Sequence, residues 1–548
     1  MDAYSVSFTG SSRNNSSRRI YQDLKTVHWL SMGVGELDPN QIARSLGVMD
    51  ETLEPQATEW KPGHIGVIGA GVTGLRCADI LLHYGFDVTI LEGRNRVGGR
   101  LHQEALPNGH LVDTGPNWIH GTTSNTIMDL ARLTNTPTTT WEDAQSCVFD
   151  EHGHLLPPKD GERCSQVMWD IVQAAFKHSE KYSADISPDE SLLDFFQSLV
   201  VEFIPETEDN HERKRDLVLQ MAESWGAFVG SPVTRQSLKY FWLEECIEGE
   251  NLFCAGTYQK ILEEIARPAI KGATIHFETI VSKINGKSVN GGCKVGVETA
   301  AGRHFEFDEV VLTTPLGWLK QHLDAFSPPL PSRLVDAIGN ISYGCLEKVY
   351  ISFPEAFWLR PDADGRTVQG FCQWLSPNYA MDSNPERWTH EIVELASLTP
   401  STSHPTLLFY TYGVQSQHIT STVRSLATKE KRDDFLYSFF RPYYSRLPHF
   451  SEGDPRCRPT GCLATDWLHD DLAGNGSYGN FQVGLREGDG DIRAMREGVP
   501  AEGVWLAGEH TAPFVALGTV TGAYWSGESV GRRIAGVHGR GGDKALFI

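Results

Sequence analysis

The segment "HIGVIGAGVTGLRCADILLHYGFDVTILEGRNRVGGR", residues 64–100, decides the fold of this chain. An apolar strand meets a glycine-rich turn, a helix with an apolar stripe follows, and a second apolar strand ends at "VTILE". The three elements fit within about 30 residues, the βαβ context that a dinucleotide-binding fingerprint requires. The segment therefore predicts an α/β fold with a Rossmann-like domain.

The turn "GAGVTG" carries glycine at the positions that a bound dinucleotide needs. Gly69 makes the tight turn, Gly71 lets the backbone approach a pyrophosphate, and Gly74 lets helix and strand pack closely. Glu92, 18 residues beyond Gly74, is placed to accept hydrogen bonds from a ribose. A glycine-rich turn without a ligand is the alternative, but Glu92 and the flanking elements favour dinucleotide binding.

A second glycine-rich loop, "EGRNRVGGR", follows the expected ribose contact. It places Arg94 and Arg100 around the pair Gly98 and Gly99, so guanidinium donors lie next to exposed backbone. An NAD site does not need this loop, whereas a flavin dinucleotide lying along the chain would use it. We therefore expect FAD as the cofactor.

Composition limits the classes of partner. A chain of 548 residues is too long for one compact core, so two joined domains are expected. The net charge of −22 argues against a nucleic-acid partner, and it is compatible both with a cationic substrate and with an acidic protein that has none. The 10 cysteines are scattered, which favours free thiols in a reducing compartment over a metal site or a disulfide framework.

We expect no targeting signal at either end of the sequence. The first 25 residues contain no apolar core of signal-peptide length. No run approaches the roughly 20 apolar residues of a membrane helix, and the ending "GRGGDKALFI" is neither a tail anchor nor a peroxisomal signal. We expect a cytoplasmic location, with the peroxisome as the alternative, and no membrane anchor.

Nucleotide-domain and substrate-domain segments alternate along the chain. Residues 1–60 are predicted to be an N-terminal extension. The predicted FAD-binding parts are 61–125, 251–325 and 461–540. The predicted substrate-binding parts are 126–250, which is mainly helical, and 326–460, which is mainly sheet.

The stretch "CLEKVYISFPEAFW", residues 345–358, is typical of a buried strand except for its lysine, Lys348. Side chains alternate along a strand, which predicts Leu346, Lys348 and Tyr350 on one face and Val349, Ile351 and Phe353 on the other. A partly exposed strand whose ammonium reaches water is one interpretation. A lysine directed at the cofactor is the other.

Eight motifs occur in one order along the chain: "VIGAGVTGLRCADIL", "LEGRNRVGGR", "VDTGPNWIHG", "GTYQKILEEIA", "VVLTTPLGWLK", "LEKVYISFPEAFW", "GSY" and "WLAGEHTAPFVALGTVTGAYWSG". In these motifs the chain resembles the flavin-containing amine oxidase family over about residues 64–536. That family holds polyamine oxidases, monoamine oxidases and flavin-dependent histone demethylases, and the resemblance is to the polyamine oxidase type. It implies a Rossmann-like FAD-binding domain of the GR2 type, interleaved with an α+β substrate-binding domain.

The resemblance also implies the cofactor contacts. At the nucleotide end they are Gly69, Gly71, Gly74, Glu92, Arg94, Gly99 and Arg100. Beside the isoalloxazine ring they are Gly115, Trp118 and Ile119. Val281 matches the residue whose backbone meets the adenine, and Glu509 matches the acidic residue near the ribityl phosphate. Thr519 and Val520 match the backbone at the pyrimidine end of the ring.

Lys348 matches the family lysine that reaches flavin N5 through a water. The implied reaction moves a hydride equivalent from the carbon next to the amine nitrogen to the flavin. The amine must react as the neutral base, which a desolvating, aromatic-walled site favours. Hydrolysis and reoxidation by oxygen then give an aldehyde, an amine and hydrogen peroxide.

Four residues refine the expected subclass. Ser477 stands where covalent monoamine oxidases carry the cysteine that bonds the flavin, so FAD is expected to be non-covalent. Tyr478 matches one wall of an aromatic substrate cage, but Thr519 occupies the position of the second tyrosine, so the opposite wall must come from elsewhere. His120 matches a histidine of vertebrate-type polyamine oxidases, where a neutral imidazole can hold a substrate nitrogen; a packing histidine is the alternative.

The stretch "FWLEECIEGENLF" places four glutamates, Glu244, Glu245, Glu248 and Glu250, before the "GTYQK" helix. Carboxylates at a tunnel mouth would attract a polycation, and a solvated acidic loop is the alternative. We expect an FAD-dependent oxidase of polyamines that uses oxygen and no metal. The alternatives are a flavin oxidase of another amine, such as an amino acid or a specialised metabolite, and a non-catalytic flavin-binding recognition module.

Overall fold

The computed structural model describes residues 63–540 except 142–146, 290, 293, 363–364 and 366. These residues belong to one compact unit, Pro62–Ile548. The predicted N-terminal extension, residues 1–60, lies outside the described residues.

The α-helices of the described residues are α1 (Val72–His83), α2 (Thr126–Leu133), α3 (Pro158–Tyr182), α4 (Leu192–Phe203), α5 (His211–Ala222), α6 (Gly226–Val229), α7 (Gln259–Gly272), α8 (Leu316–Gln321), α9 (Ser332–Asn340), α10 (Gly413–Ser425), α11 (Lys429–Tyr444), α12 (Gly488–Glu497) and α13 (Val520–Val537). In this part of the chain no helix has the length and apolar character needed to cross a membrane.

The β-strands of the described residues are β1 (His64–Ile68), β2 (Asp87–Leu91), β3 (Gln103–Ala105), β4 (Leu111–Asp113), β5 (Trp118–Ile119), β6 (Cys147–Phe149), β7 (Leu252–Phe253), β8 (Thr274–His276), β9 (Val281–Asn285), β10 (Val295–Thr299), β11 (His304–Phe307), β12 (Glu309–Leu312), β13 (Phe326–Ser327), β14 (Ser342–Tyr343), β15 (Leu346–Ser352), β16 (Phe371–Trp374), β17 (His390–Glu394), β18 (Thr406–Tyr412), β19 (Gly461–Ala464), β20 (Gly479–Asn480) and β21 (Val504–Leu506).

The βαβ unit predicted from residues 64–100 is confirmed as β1, α1 and β2. Its strands form the centre of a five-stranded sheet in the order β21-β12-β1-β2-β8, in which every pairing is parallel. Both faces of this parallel sheet are covered, as continuous apolar strands require. Val67 packs against the helices α1, α7 and α13 on one side, while Ile68 packs with the β9–β10 region on the other.

A second, six-stranded sheet has the order β19-β15-β18-β17-β16-β6 and is antiparallel except where β16 pairs with β6. In this mixed sheet, β15 runs between β18 and β19, and its two predicted faces are confirmed. Val349, Ile351 and Phe353 lie in one apolar cluster, whereas Tyr350 lies in another with Leu346 packed against it. Lys348 shares the face of Tyr350 and is only 5% exposed, so the partly exposed interpretation of this lysine is wrong.

Helix α13 packs on α1 through glycines that allow the two backbones to approach. A Cβ at Gly527 would collide with the carbonyl oxygen of Thr73, and one at Gly531 would press on Ile80. Gly536 lies in the same helix, but a Cβ there would meet no atom within 4 Å. Helices α1 and α13 are therefore too close together to accommodate a methyl group at Gly527.

We predict that G527A destabilises the protein by about 1–3 kcal/mol, because overpacking forces α1 and α13 apart. The apparent melting temperature, measured at one scan rate, should fall. The matched control is G536A in the same helix, which should keep or slightly raise the melting temperature because alanine is the better helix former. Equal melting temperatures for the two variants would contradict the close packing of α13 on α1.

Candidate active site

The two glycine-rich loops meet at the carboxyl end of the parallel sheet. Gly69 has a φ of +104°, which favours glycine, and a Cβ at Gly74 would collide with the Gly69 carbonyl oxygen. Gly98 donates from its backbone N–H to the Ala70 carbonyl at 2.8 Å. These positions explain why a tight strand–turn–helix connection needs glycine in both loops.

Gly71 differs from its neighbours because neither its backbone nor its packing requires glycine. Its φ is −73°, and a Cβ there would meet no atom within 4 Å. It caps α1 without a side-chain hydrogen bond, and the first turn of that helix carries no acidic residue. The open space and the uncapped helix N-terminus fit a pyrophosphate that approaches the backbone at this point.

Glu92 lies at the end of β2, beside the glycine turn, and is buried. Its carboxylate accepts hydrogen bonds from the backbone N–H groups of Ala70 at 2.6 Å and of Arg94 at 2.8 Å. The Thr279 N–H donates to the Glu92 carbonyl, so the chain that leads into Val281 runs alongside Glu92. The predicted ribose and adenine contacts are therefore neighbours, although the Val281 side chain itself packs in the core.

Arg94 and Arg100 each contact an acidic residue from the C-terminal part of the chain. Arg94 donates from Nη2 to both carboxylate oxygens of Asp470, at 2.8 and 2.9 Å. Arg100 donates to Glu509 at 3.2 Å and to the carbonyl of Ser477 at 2.5 Å. Neither pairing was predicted from the sequence, because Asp470 is an acidic residue 376 positions away from Arg94 and no local pattern marks it.

Several buried polar atoms near these residues have no hydrogen-bond partner among the described residues. They include Ser477 Oγ, Thr314 Oγ1 and both ring nitrogens of His510. Thr314 follows Thr313, whose hydroxyl donates to the carbonyls of Ile68 and Gly69. Buried polar groups are normally satisfied, so these atoms mark space that fits a polar ligand.

Three side chains fix the backbone of residues 113–115, which leads into the segment, from Gly115 onward, predicted to run beside the isoalloxazine ring. Tyr350 donates from its hydroxyl to the Asp113 carbonyl at 2.6 Å, and Trp467 donates from Nε1 to the Thr114 carbonyl at 2.9 Å. Lys348 donates from Nζ to the Gly115 carbonyl. Each donor belongs to the mixed sheet or to the chain following it, so this segment is held from one side.

The charge on Lys348 is buried with limited compensation. Burial lowers the pKa of Lys348, and the nearby Asp113 and Glu347 carboxylates oppose that change. Burial likewise raises the pKa of Asp113, whose carboxylate accepts hydrogen bonds from Gln103 at 2.6 Å and from the Tyr258 N–H at 3.1 Å. A lysine kept in this environment is a common feature of catalytic sites.

Trp118 and Ile119 form the short strand β5, which pairs with β7. Trp118 stacks on Phe371 with ring centroids 5.6 Å apart and donates from Nε1 to the Tyr410 hydroxyl at 3.1 Å. The Ile119 side chain is in the core instead, so only its backbone is available to a ligand. Burial lowers the pKa of His120 to about 4, against a hydrogen bond with Asn251 that raises it.

Tyr410 lies beside Lys348 on the mixed sheet, and Tyr478 comes from the C-terminal part of the chain. The Tyr478 hydroxyl donates to the Phe228 carbonyl, and burial, with smaller effects of Glu244 and Tyr410, raises the pKa of Tyr478. The Lys348 Nζ lies 5.8 Å from the centre of the Tyr410 ring. Sequence analysis left the second aromatic wall unnamed and missed Tyr410, because only the strand order makes it the partner of Lys348.

The residues predicted at the pyrimidine end of the ring begin α13. Thr519 caps this helix by accepting from the Gly522 N–H at 3.0 Å, and Val520 is its first residue. A Cβ at Gly518 would lie 3.3 Å from the Tyr478 ring. The start of α13 is therefore beside Tyr478.

The four glutamates of the predicted acidic loop do not act as one group. Glu248 and Glu250 are exposed, whereas Glu244 lies within 3.4 Å of the Phe481 N–H and of Gln236 Nε2. Burial raises the pKa of Glu244 to about 7. The interpretation as a solvated loop fits Glu248 and Glu250 but not Glu244.

Comparison with known proteins supports the assignment made from the motifs. A family model described as "Flavin containing amine oxidoreductase" matches residues 72–535. The chain is 27% identical to "Polyamine oxidase 4" of Oryza sativa subsp. japonica, over 90% of this chain and 92% of that protein. It is 26% identical to "Probable polyamine oxidase 4" of Arabidopsis thaliana, over 88% of each chain. It is also 26% identical to the human "Peroxisomal N(1)-acetyl-spermine/spermidine oxidase", over 81% of this chain and 89% of that protein.

The sequence matches one family over most of its length. Its structure has a glycine-rich dinucleotide site at the end of a parallel sheet and a buried lysine on the mixed sheet. The chain belongs to the flavin-containing amine oxidoreductase family, and it is an FAD-dependent amine oxidase.

Proposed function

We propose that this enzyme oxidises polyamines at a C–N bond, with oxygen as the final acceptor and an aldehyde, an amine and hydrogen peroxide as products. The observation that carries the proposal is the position of Lys348, buried at the Gly115 carbonyl and 5.8 Å from the Tyr410 ring. Relatives named as polyamine oxidases that cover most of the chain support the choice of substrate class. Bound FAD would supply the hydride acceptor.

We infer the following cofactor contacts: Gly69, Gly71, Gly74, Glu92, Arg94, Gly99, Arg100, Gly115, Trp118, Ile119, Val281, Glu509, Thr519 and Val520. The open space at Gly71 and the cluster of unpartnered polar atoms around Ser477 and His510 support this set. We also propose that FAD is held without a covalent bond, since residue 477 is a serine and its hydroxyl has no described partner.

Lys348 is proposed as the residue that orders a water at the reacting edge of the cofactor. A lysine ammonium has three N–H donors. In the described part of the chain, the carbonyls of Gly115 and of Asp113, the latter at 3.5 Å, can accept two of them. The third donor remains for a water, and the lysine cannot rotate freely because its neighbours on the sheet confine it.

For the substrate side we propose His120 and Tyr478, with Tyr410 as the aromatic residue opposite. His120 is neutral near pH 7, because burial lowers the pKa of its ring to about 4. A neutral imidazole does not repel a substrate ammonium and can accept a hydrogen bond from it. Aromatic rings above and beside the amine stabilise the arriving cation and desolvate it before reaction.

We propose that the two sheets belong to two interleaved domains. The parallel sheet takes its strands from the FAD-binding parts 61–125, 251–325 and 461–540, in the GR2-type arrangement, and the mixed sheet takes most of its strands from 126–250 and 326–460. β19 (Gly461–Ala464) pairs with β15, so the proposed boundary after 460 moves to the end of β19. The cytoplasm remains the proposed location, with the peroxisome as the alternative because the human relative is named as peroxisomal.

The substrate class is tested by peroxide release from the purified yellow holoenzyme. We predict activity with at least one of spermine, spermidine and their N-acetyl forms, and less activity with benzylamine and amino acids. The physical reason is that a buried site with several acceptor groups offsets the desolvation of several ammonium groups. A compound with one nitrogen can use only one of those acceptors. Activity confined to a non-polyamine amine would contradict the proposed substrate and leave the family assignment unchanged.

We predict that G71A lowers the FAD content without unfolding the apoprotein. A methyl group at this position meets no protein atom but occupies the space in which the pyrophosphate would approach. FAD per chain is measured from the flavin released by acid precipitation, and the melting temperature is compared between apoproteins. The control is G339A in α9, where a Cβ also meets no atom within 4 Å and FAD content should stay unchanged. Full FAD content in G71A would contradict the proposed contact.

We predict that K348M keeps FAD but lowers turnover by about 100-fold, the loss typical of removing one preorganised donor. Steady-state turnover and the rate of flavin reoxidation after anaerobic reduction are both measured. The control is K271M at an exposed position of α7, which removes the same charge away from the mixed sheet. Kinetics of K348M equal to those of K271M would refute the role of Lys348.

A further inference from the structure

One row of the mixed sheet carries polar side chains across four strands. Lys348 on β15 is the direct partner of Tyr410 on β18, Tyr410 is the partner of Glu391 on β17, and Glu391 is the partner of Gln373 on β16. Directly opposite residues in antiparallel strands project from the same face. The row therefore leads from the flavin-facing lysine to a carboxylate two strands away.

Glu391 is an isolated buried carboxylate. It is 7% exposed, and among the described residues only Gln373 donates to it, from Nε2 to Oε2 at 2.7 Å. Burial raises the pKa of Glu391 to about 7, and no basic side chain in the described part of the chain opposes that change. A charge buried in this way is costly unless a cation pairs with it.

Glu394, on the same strand, shows what a structural carboxylate looks like in this sheet. It projects from the opposite face and accepts from Trp358 Nε1 at 3.2 Å and from the N–H groups of Gly370 at 3.1 Å and of Ala396 at 2.9 Å. The Ser397 hydroxyl donates to it as well. These donors hold Glu394 in place, whereas Glu391 has one amide only.

The surroundings of Glu391 on its face of the sheet are aromatic. Tyr410 precedes it in the row, and the charge of Glu391 raises the pKa of Tyr410 after the larger effect of burial. Phe371, two residues before Gln373 on β16, is 37% exposed and stacks on Trp118. Trp118 also donates to Tyr410, so this indole contacts the aromatic side chains on both strands that flank β17, the strand of Glu391.

We propose that Glu391 binds a second ammonium group of the substrate, an aliphatic diamine or polyamine whose reacting nitrogen lies at the Lys348 end of the row. Two strand spacings put about 10 Å of backbone between Lys348 and Glu391, which the side chains shorten to the reach of an extended aminoalkyl arm. The inference rests on the proposed function, since it assigns the second nitrogen of the same substrate. It also explains why a carboxylate is kept next to aromatic rings, which attract alkylammonium ions.

The test compares two ligands of equal chain length that differ by one nitrogen, hexamethylenediamine and n-hexylamine. Their affinities are measured by anaerobic titration calorimetry on holoenzyme whose flavin has first been reduced, so that the ligand is bound but not oxidised. The wild-type enzyme should bind the diamine more tightly by about 10- to 100-fold, the value of a hydrogen bond to a charged group. E391Q, which keeps the size of the side chain, should remove most of this preference.

Two further variants make the result decisive. E391M replaces the buried carboxylate by an apolar group of similar length, a change that tends not to destabilise, so it serves if E391Q does not fold. E202Q changes the same charge at an exposed position of α4 and should retain the full preference for the diamine. A wild-type enzyme without the preference, or a folded E391Q or E391M that keeps it, would overturn the assignment of Glu391. Failure to oxidise any polyamine would instead overturn the proposed function, while the binding preference is still measured.

Discussion

The site depends on the contact between the mixed sheet and the three successive carbonyls of residues 113–115. Tyr350, Trp467 and Lys348 each donate to one of these carbonyls. The same segment is held from its other side, because the Asp113 carboxylate accepts from the Tyr258 N–H that precedes α7. A backbone segment with every carbonyl fixed can present one defined edge to a planar cofactor, and the lysine that fixes it is also the residue proposed to serve the chemistry.

The same carbonyl acceptors explain how the ammonium of Lys348 is tolerated although only 5% of the residue is exposed. Desolvation alone would make a buried lysine neutral, and burial does lower the pKa of Lys348. The carbonyl oxygens and the Asp113 carboxylate oppose that effect without forming a close ion pair. A direct ion pair would keep Lys348 charged but would bind its ammonium to a carboxylate. The two carbonyls that accept from Lys348 in the described part of the chain leave its third N–H donor for another partner. The balance suits the role proposed for Lys348, in which its ammonium orders a water.

Local patterns in the sequence predicted the parts of the site that local structure determines. The βαβ unit and the two faces of β15 follow from apolar spacing and strand alternation. They could therefore be predicted without knowledge of the neighbouring elements, and the structure confirms them. Asp470 and Tyr410 were missed because each acquires its role from a partner distant in sequence. Tyr410 lies in the apolar run "TLLFYTYGV", and nothing in that run distinguishes a core tyrosine from one beside the cofactor lysine.

The strand order β15-β18-β17-β16 turns sequence-distant residues into an ordered row on one face. Because register fixes which residues are opposite, each strand contributes one side chain at one distance from Lys348: Tyr410 at one strand spacing, Glu391 at two, Gln373 at three. A one-residue shift of β17 would bury Glu391 on the far face and turn its neighbours on the strand toward the cofactor. The substrate recognition proposed for Glu391 therefore depends on the correct pairing of β17.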